Sequence, residues 1–281
     1  LSYGVRQRQD RWSRIAGSQL LRGMGGAAAV IGTTALGGSL AAGLGANVAW
    51  QLFVTLRVDA ADMEWPAGSW LRALGCLRTC WPLGVAATLV SVNGNLPRYA
   101  LELYGDSAAV GQFAALMQLG LLGNLPVQGL AVASLADVAR RAREGRGRLQ
   151  RLLGAQTLVS LLIGLAGLAV AFVWGQPLLL LLYTPEIAAL APLLPWAVAG
   201  AIFIFLSAIF GYGLVAMGGK NTQVVVFGLS ALIGAAACRS FIPGYGLEGA
   251  VMANLVGWSS AAILSGAALY ERTLRIPKET E

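Results

Sequence analysis

Apolar runs alternate along this chain with short clusters of Gly, Pro and charge. Reading that alternation gives eight long apolar stretches, at about 16–36, 39–57, 81–104, 107–138, 150–174, 187–217, 222–241 and 247–272. Each is close to or above the ~20 residues that an α-helix needs to cross hydrocarbon. The ~10-residue alternating segments of a membrane-spanning barrel do not occur. The pattern predicts an all-α integral membrane protein with about eight transmembrane helices. Gly37-Gly38 separates the first two stretches and Gly218-Gly219 closes the sixth. Pro243-Gly244 is expected to break the last pair. Thr184 and Pro185 in "TPEIAAL" read as the N-cap and first helical position of the sixth. The preceding "QPLLLLLY" is too short to span and reads as an interfacial or re-entrant piece.

Composition agrees with the pattern. Only 12% of residues are charged and 57% are hydrophobic, with a mean hydropathy of +0.67, against about a quarter charged in soluble domains. With the N-terminal segment cytoplasmic, the eight stretches put 18 of the 20 Lys and Arg residues on the cytoplasmic side. Only Arg98 and Arg239 fall on the other, as the positive-inside rule expects of a correct count. Both ends of the chain are then cytoplasmic. The net charge of +7 follows from this topology. The basic run "ARRAREGRGRLQR" joins two spans, so it is assigned to anionic membrane headgroups and not to nucleic acid. The three cysteines, Cys76, Cys80 and Cys238, have no metal-ligand spacing, and the chain has no histidine; no metal or other cofactor is implied.

One segment departs from the apolar rule. In "SVNGNLPRYALELYGD", Ser91, Asn95, Arg98 and Glu102 are spaced i, i+4, i+7 and i+11, which stacks them on one helical face. A span starting near Trp81 puts Asn95 ~20 Å deep and Glu102 near the outer boundary. Pro97 removes a backbone hydrogen bond inside the stripe and is expected to kink the helix. An arginine facing lipid costs ~3 kcal/mol at mid-membrane, so the stripe is expected to face protein or water. Two readings stand: an Arg98–Glu102 pair that reaches for the interface, or a cavity-lining stripe. Ser91 and Asn95 favour the second, since an interfacial ion pair does not need them. The next span carries Gly120, Asn124 and Gln128 at i, i+4 and i+8, with Pro126 as a second kink. That face suits either helix–helix hydrogen bonding or the same cavity. Arg239 reads as an interfacial anchor.

The stripe segment, extended to "SVNGNLPRYALELYGDSAAVGQFAALMQL", resembles the bacterial polysaccharide flippases of the MATE-like multidrug/oligosaccharidyl-lipid/polysaccharide exporter superfamily. "FIPGYGLEGAVMANLV" is similar to that family's signature between its last two spans. "LLLLLYTPEIAAL", "VAMGGKNTQ" and "VRQRQDRWSRIAGSQLLRG" match weaker loop patterns, so the likeness covers nearly the whole chain. It implies part of a two-lobe, twelve-helix transporter fold. Residues 1–57 would be the last two helices of the N-terminal lobe, 58–80 a cytoplasmic inter-lobe connection, and 81–281 the C-terminal six-helix lobe. The opening "LSYGVRQRQDRW", without Met, then reads as a loop that follows four further spans.

The resemblance also implies a function. The expected cargo is an undecaprenyl-pyrophosphate-linked oligosaccharide. It would be moved across the bacterial cytoplasmic (inner) membrane by alternating access, for O-antigen, capsule or exopolysaccharide synthesis, with polysaccharide polymerases as partners. Arg98 would contact pyrophosphate, while Asn95, Asn124 and Gln128 would hydrogen-bond sugar hydroxyls. Glu102 would orient Arg98 or couple an ion. The alternative within the fold is a multidrug or cation exporter, which should carry Asp or Glu deep in its helices; the chain shows no such cluster. A peptidoglycan-precursor flippase would favour several intramembrane arginines. A membrane enzyme would need clustered acids, His or a metal site in a loop, and none is present.

Overall fold

Glycine decides where the helices of this protein turn. The computed structural model describes residues 12–59, 69–104 and 107–277. The arginines at positions 6, 8 and 11, residues 60–68 of the connecting segment and Lys278 lie outside the described residues. Among those described, every regular element is helical. The chain divides into two compact units, Leu1–Cys76 and Leu77–Glu281.

In the first unit, α1 (Trp12–Ala35) and α2 (Leu40–Val54) form a hairpin. Gly37 turns it at φ 82°, a backbone state that costs glycine little. Ser39 then caps α2 by accepting the Ala42 amide at 3.2 Å. The Trp50 indole lies on Gly25, where any Cβ would overlap it, and donates from Nε1 to the Leu21 carbonyl at 2.9 Å. A π-helical turn, Thr55–Asp59, follows α2.

α3 (Ser69–Leu103) crosses the boundary between units and stays helical through Pro82 and Pro97. In the second unit, α4 (Ser107–Gly120) tightens into a 3-10 turn, Leu121–Gly123, before α5 (Asn124–Ala133). Pro126 has no amide to offer the Leu122 carbonyl, which places the irregularity just upstream of it. The amphipathic α6 (Leu135–Glu144) follows. α7 (Arg146–Leu182), the short α8 (Pro185–Ala188), a 3-10 turn at Ala191–Leu193 and α9 (Leu194–Ala216) come next. α10 (Lys220–Leu274) is bent at Gly246.

The two arms of α10 lie side by side. Ser230 on the first donates to the Gly257 carbonyl on the second at 2.8 Å, and the two backbones touch at Gly234 and Gly257. Counting the arms separately, the described residues form eight main helical stretches, and the fold is a polytopic helical membrane architecture. Ser107–Ala133, Arg146–Leu182, Ala191–Ala216 and the two-armed Lys220–Leu274 are long and apolar enough to cross a membrane by length and composition.

Several element boundaries differ from the sequence expectation. "QPLLLLLY" does not form a separate re-entrant piece: α7 runs unbroken through Gly175 and Pro177 to Leu182, because buried Gly175 packs against Leu194. The fourth pass ends at Ala133 instead of 138; Ser134 starts a new helix whose charged face carries Asp137, Arg140 and Glu144. The sixth pass begins in earnest at Leu194, since Pro192 and Pro195 interrupt the amide ladder after α8. The bend in α10 falls at Gly246 and not at Pro243-Gly244. Proline's fixed φ is compatible with helix, whereas φ 52° with ψ −122° is open essentially to glycine.

A Cβ at Gly249 would stand 2.4 Å from the Phe241 carbonyl oxygen, across the bend. Gly249→Ala is therefore expected to force the arms apart and lower the thermal unfolding midpoint markedly. Gly246→Ala should cost about 1–3 kcal/mol through backbone strain. Thermal unfolding in detergent, followed by circular dichroism, checks both; an unchanged midpoint for either variant would refute the tight bend.

Candidate functional site

α3 carries a buried seam on one side and a polar stripe on another. Pro82, Ala86, Asn93, Pro97 and Leu101 are buried, and the spacing places them along one side of the helix. The stripe of Ser91, Asn95, Arg98 and Glu102 is centred roughly 140° round the helix from this seam, at 100° per residue. Ser91 and Glu102 are exposed, while Asn95 and Arg98 are half-buried.

The stripe is wired along its own helix. Asn95 Nδ2 donates to the Ser91 carbonyl at 2.9 Å, and Arg98 Nη1 donates to Asn95 Oδ1 at 3.0 Å. Asn95 thus uses its amine on the backbone and turns its oxygen towards the guanidinium. Arg98 Nε is buried without a partner. The Arg98–Glu102 pair considered from the sequence does not form: Arg98 turns back towards the helix N-terminus, the direction in which long helical side chains lean. Among the described residues, Arg98 has no carboxylate partner, so its charge is oriented by an amide and left uncompensated.

Asn124 opens α5 directly after the 3-10 turn; it is half-buried, with a buried Oδ1 that has no partner. Gln128, one turn later, lines a cavity of about 390 Å³. Gly120, the third member of that sequence face, serves packing: a Cβ there would stand 3.3 Å from the Ala197 carbonyl of α9. The structure therefore joins Ser91, Asn95 and Arg98 by hydrogen bonds. It places Asn124 and Gln128 on neighbouring turns of α5 and leaves Glu102 apart. Pro97 is fully buried and Pro126 exposed.

The cavity at Gln128 lies inside the second unit. α3 contributes Ala86, Ala87 and Val90; α9 contributes Ser207 and Tyr212; and the arms of α10 contribute Gln223 and Trp258. Its wall is largely apolar with a few amide, hydroxyl and indole groups, a lining suited to an amphiphile. Tyr212, Gln223 and Trp258 were not singled out in the sequence. Tyr212 lies alone in an apolar run, Gln223 closes the polar Lys220-Asn221-Thr222 turn and Trp258 precedes Ser259-Ser260, so no shared helical spacing marks them.

Asn93 is the other residue that the spacing argument passed over. It is 3% exposed and donates to Ser230 Oγ at 2.9 Å. Ser230 donates in turn to the Gly257 carbonyl, and Ser260 reaches that same carbonyl at 2.7 Å. The Asn93 oxygen sits over the contact between Gly234 and Gly257, about 3.1–3.2 Å from where either Cβ would be. This asparagine ties α3 to both arms of α10. Of the two asparagines in "SVNGNLPR", Asn93 is buried in the seam and Asn95 lies half-buried in the stripe.

No family model and no curated protein matches the sequence. Solved structures do. An outward-facing multidrug resistance MATE family transporter of the MOP superfamily superposes with a TM-score of 0.63 at 17% identity. That match covers 85% of this chain and 56% of the other. A MATE in complex with MaD5 gives 0.62 at 17% identity, covering 84% and 55%. A MATE in complex with MaL6 gives 0.60 at 16%, covering 84% and 56%. The fold is MATE-like, and the chain spans just over half the length of these transporters.

The two asparagines are expected to separate by readout. Asn93→Ala removes a buried interhelical hydrogen bond worth about 1 kcal/mol and leaves a small void, so the unfolding midpoint should fall. Ser91→Ala, at an exposed position in the stripe, should leave it within experimental error. Equal midpoints for Asn93→Ala and wild type would refute the junction.

Proposed function

We propose that this protein is a membrane transporter whose cargo is an undecaprenyl-pyrophosphate-linked oligosaccharide, moved across the bacterial cytoplasmic membrane by alternating access. The observation that carries the reading is Arg98: a half-buried guanidinium, oriented by Asn95 and without a carboxylate partner among the described residues. An uncompensated cation held inside a membrane protein is costly unless an anion visits it. Pyrophosphate is such an anion, and arginine binds it with a paired fork of donors. Asn95, Asn124 and Gln128 supply amides for sugar hydroxyls. The sequence likeness of "SVNGNLPRYALELYGD" to polysaccharide flippases supports the same reading. On it, residues 81–281 form the C-terminal lobe, 1–57 the last helices of the N-terminal lobe and 58–80 their connection.

A second reading is favoured by the solved neighbours, one of which is named as a multidrug resistance transporter. Export of organic cations would be served by acids within the spans. Among the described residues, Asp59, Glu102, Asp137, Glu144, Glu186, Glu248 and Glu271 all lie near helix ends or at the α10 bend. That distribution favours an anionic cargo.

The test is reconstitution in liposomes. The oligosaccharide of an undecaprenyl-pyrophosphate donor should move to the side where an external glycosidase cannot reach it. Arg98→Ala should cut that movement by at least about tenfold, since a charged hydrogen bond is worth about 1.5–3 kcal/mol. No movement of the lipid-linked sugar, together with export of a cationic dye, would favour the multidrug reading. Full transport by Arg98→Ala would remove this residue from the cargo path.

A further inference from the structure

A second cationic site lies away from Arg98, where α9 ends and α10 both begins and finishes. A cavity of about 380 Å³ opens there, with an apolar wall of Met217, Ala268 and Ile276 and a polar rim of Thr222, Glu271, Arg272 and Arg275. Arg272 is fixed in place. Its Nη1 donates to the Met217 carbonyl at 3.2 Å and its Nη2 to Thr222 Oγ1 at 3.0 Å. A guanidinium has five N–H donors, so three remain for another acceptor. Glu271 does not neutralise Arg272, because it pairs with Arg275 at 2.5 Å.

The start of α10 borders the same cavity through Thr222. Gly219, the N-cap of α10, has no side-chain oxygen to offer, so the first amides of α10 are uncapped beside Thr222. The arginine-rich helix α6 packs at this end as well. Its Val138 and Ala142 join the apolar cluster that includes Met217, Ala268 and Ile276. Every described acid in the neighbourhood is already paired, Asp137 with Arg140 and Glu144 with Arg140 and Arg148. Arg141, Arg143 and Arg272 have no carboxylate partner among the described residues.

We infer that this cavity binds the phosphate of an anionic phospholipid, with Arg272 on the phosphate and the apolar wall against the glycerol and upper acyl chain. Arg275 and the α6 arginines hold the surrounding field positive. The apolar wall distinguishes a lipid headgroup from free phosphate, for which it offers nothing. The site lies where two membrane passes emerge, so a headgroup reaches it without leaving the bilayer surface.

Native mass spectrometry of the detergent-purified protein tests this with phosphatidylglycerol, phosphatidylcholine of the same chains, and inorganic phosphate. Phosphatidylglycerol should be retained in preference to phosphatidylcholine. Arg272→Gln should reduce that preference about fivefold, and Arg275→Gln, at an exposed position, by up to a similar factor. Arg239→Gln, a cation on the other arm's far end, should leave it unchanged. Because Arg272→Gln also frees the Met217 carbonyl, Arg275→Gln gives a readout that does not depend on that contact. Equal retention of the two lipids by wild type, an unchanged preference in both variants, or displacement of the lipid by millimolar phosphate would each overturn the assignment.

Discussion

The second unit depends on one close approach, the contact of the two arms of α10 at Gly234 and Gly257. A Cβ on either glycine would press on Asn93 Oδ1 at 3.1–3.2 Å and come into contact with the facing glycine backbone at 3.5–3.6 Å. Inside hydrocarbon, helices gain little from burying apolar surface against each other, because lipid is equally apolar. What holds them is close packing and satisfied polar groups. The junction of Asn93, Ser230, Gly257 and Ser260 provides both. It fixes the orientation of α3 about its own axis, and so decides which face of α3 is seam and which is stripe.

That orientation gives Arg98 its chemistry. With Asn93, Pro97 and Leu101 turned inward, the stripe on the other side of the helix is left only partly buried, at Asn95 and Arg98. Arg98 is buried enough for its charge to count and open enough to meet a partner. Asn95 aims the guanidinium without neutralising it, which a carboxylate at the same place would do. The same economy of charge recurs at the arginine-rich end, where Glu271 is taken by Arg275 and Arg272 is held by a carbonyl and a hydroxyl. In both places an arginine is positioned by neutral groups and keeps its charge for something else.

The passes and their turns were legible because apolar run length and glycine placement are local properties. Gly37 and Gly218 turn the chain where the sequence indicated, both at positive φ. Boundaries that depend on tertiary packing were not legible: nothing local says that α7 continues through Gly175-Gln176-Pro177. The stripe was visible from its spacing, and the hydrogen bonds from Arg98 to Asn95 and from Asn95 to the Ser91 carbonyl run along it. Asn93 was hidden because a single polar residue has no period. Its role appears only when Ser230 and Gly257, more than 130 positions further on, are brought against it. The MATE-like fold was foreshadowed by motif resemblance, whereas the proposed cargo rests on a charge whose surroundings are set by packing.

The central claim is that Arg98 serves an anionic cargo. Equilibrium binding of undecaprenyl pyrophosphate to the purified protein, measured beside a cationic dye for wild type and Arg98→Ala, addresses it most directly. The account predicts that the lipid pyrophosphate binds wild type, that the variant binds it at least about tenfold more weakly, and that dye binding is indifferent to the change. Equal affinity of wild type and variant for the lipid pyrophosphate would contradict it.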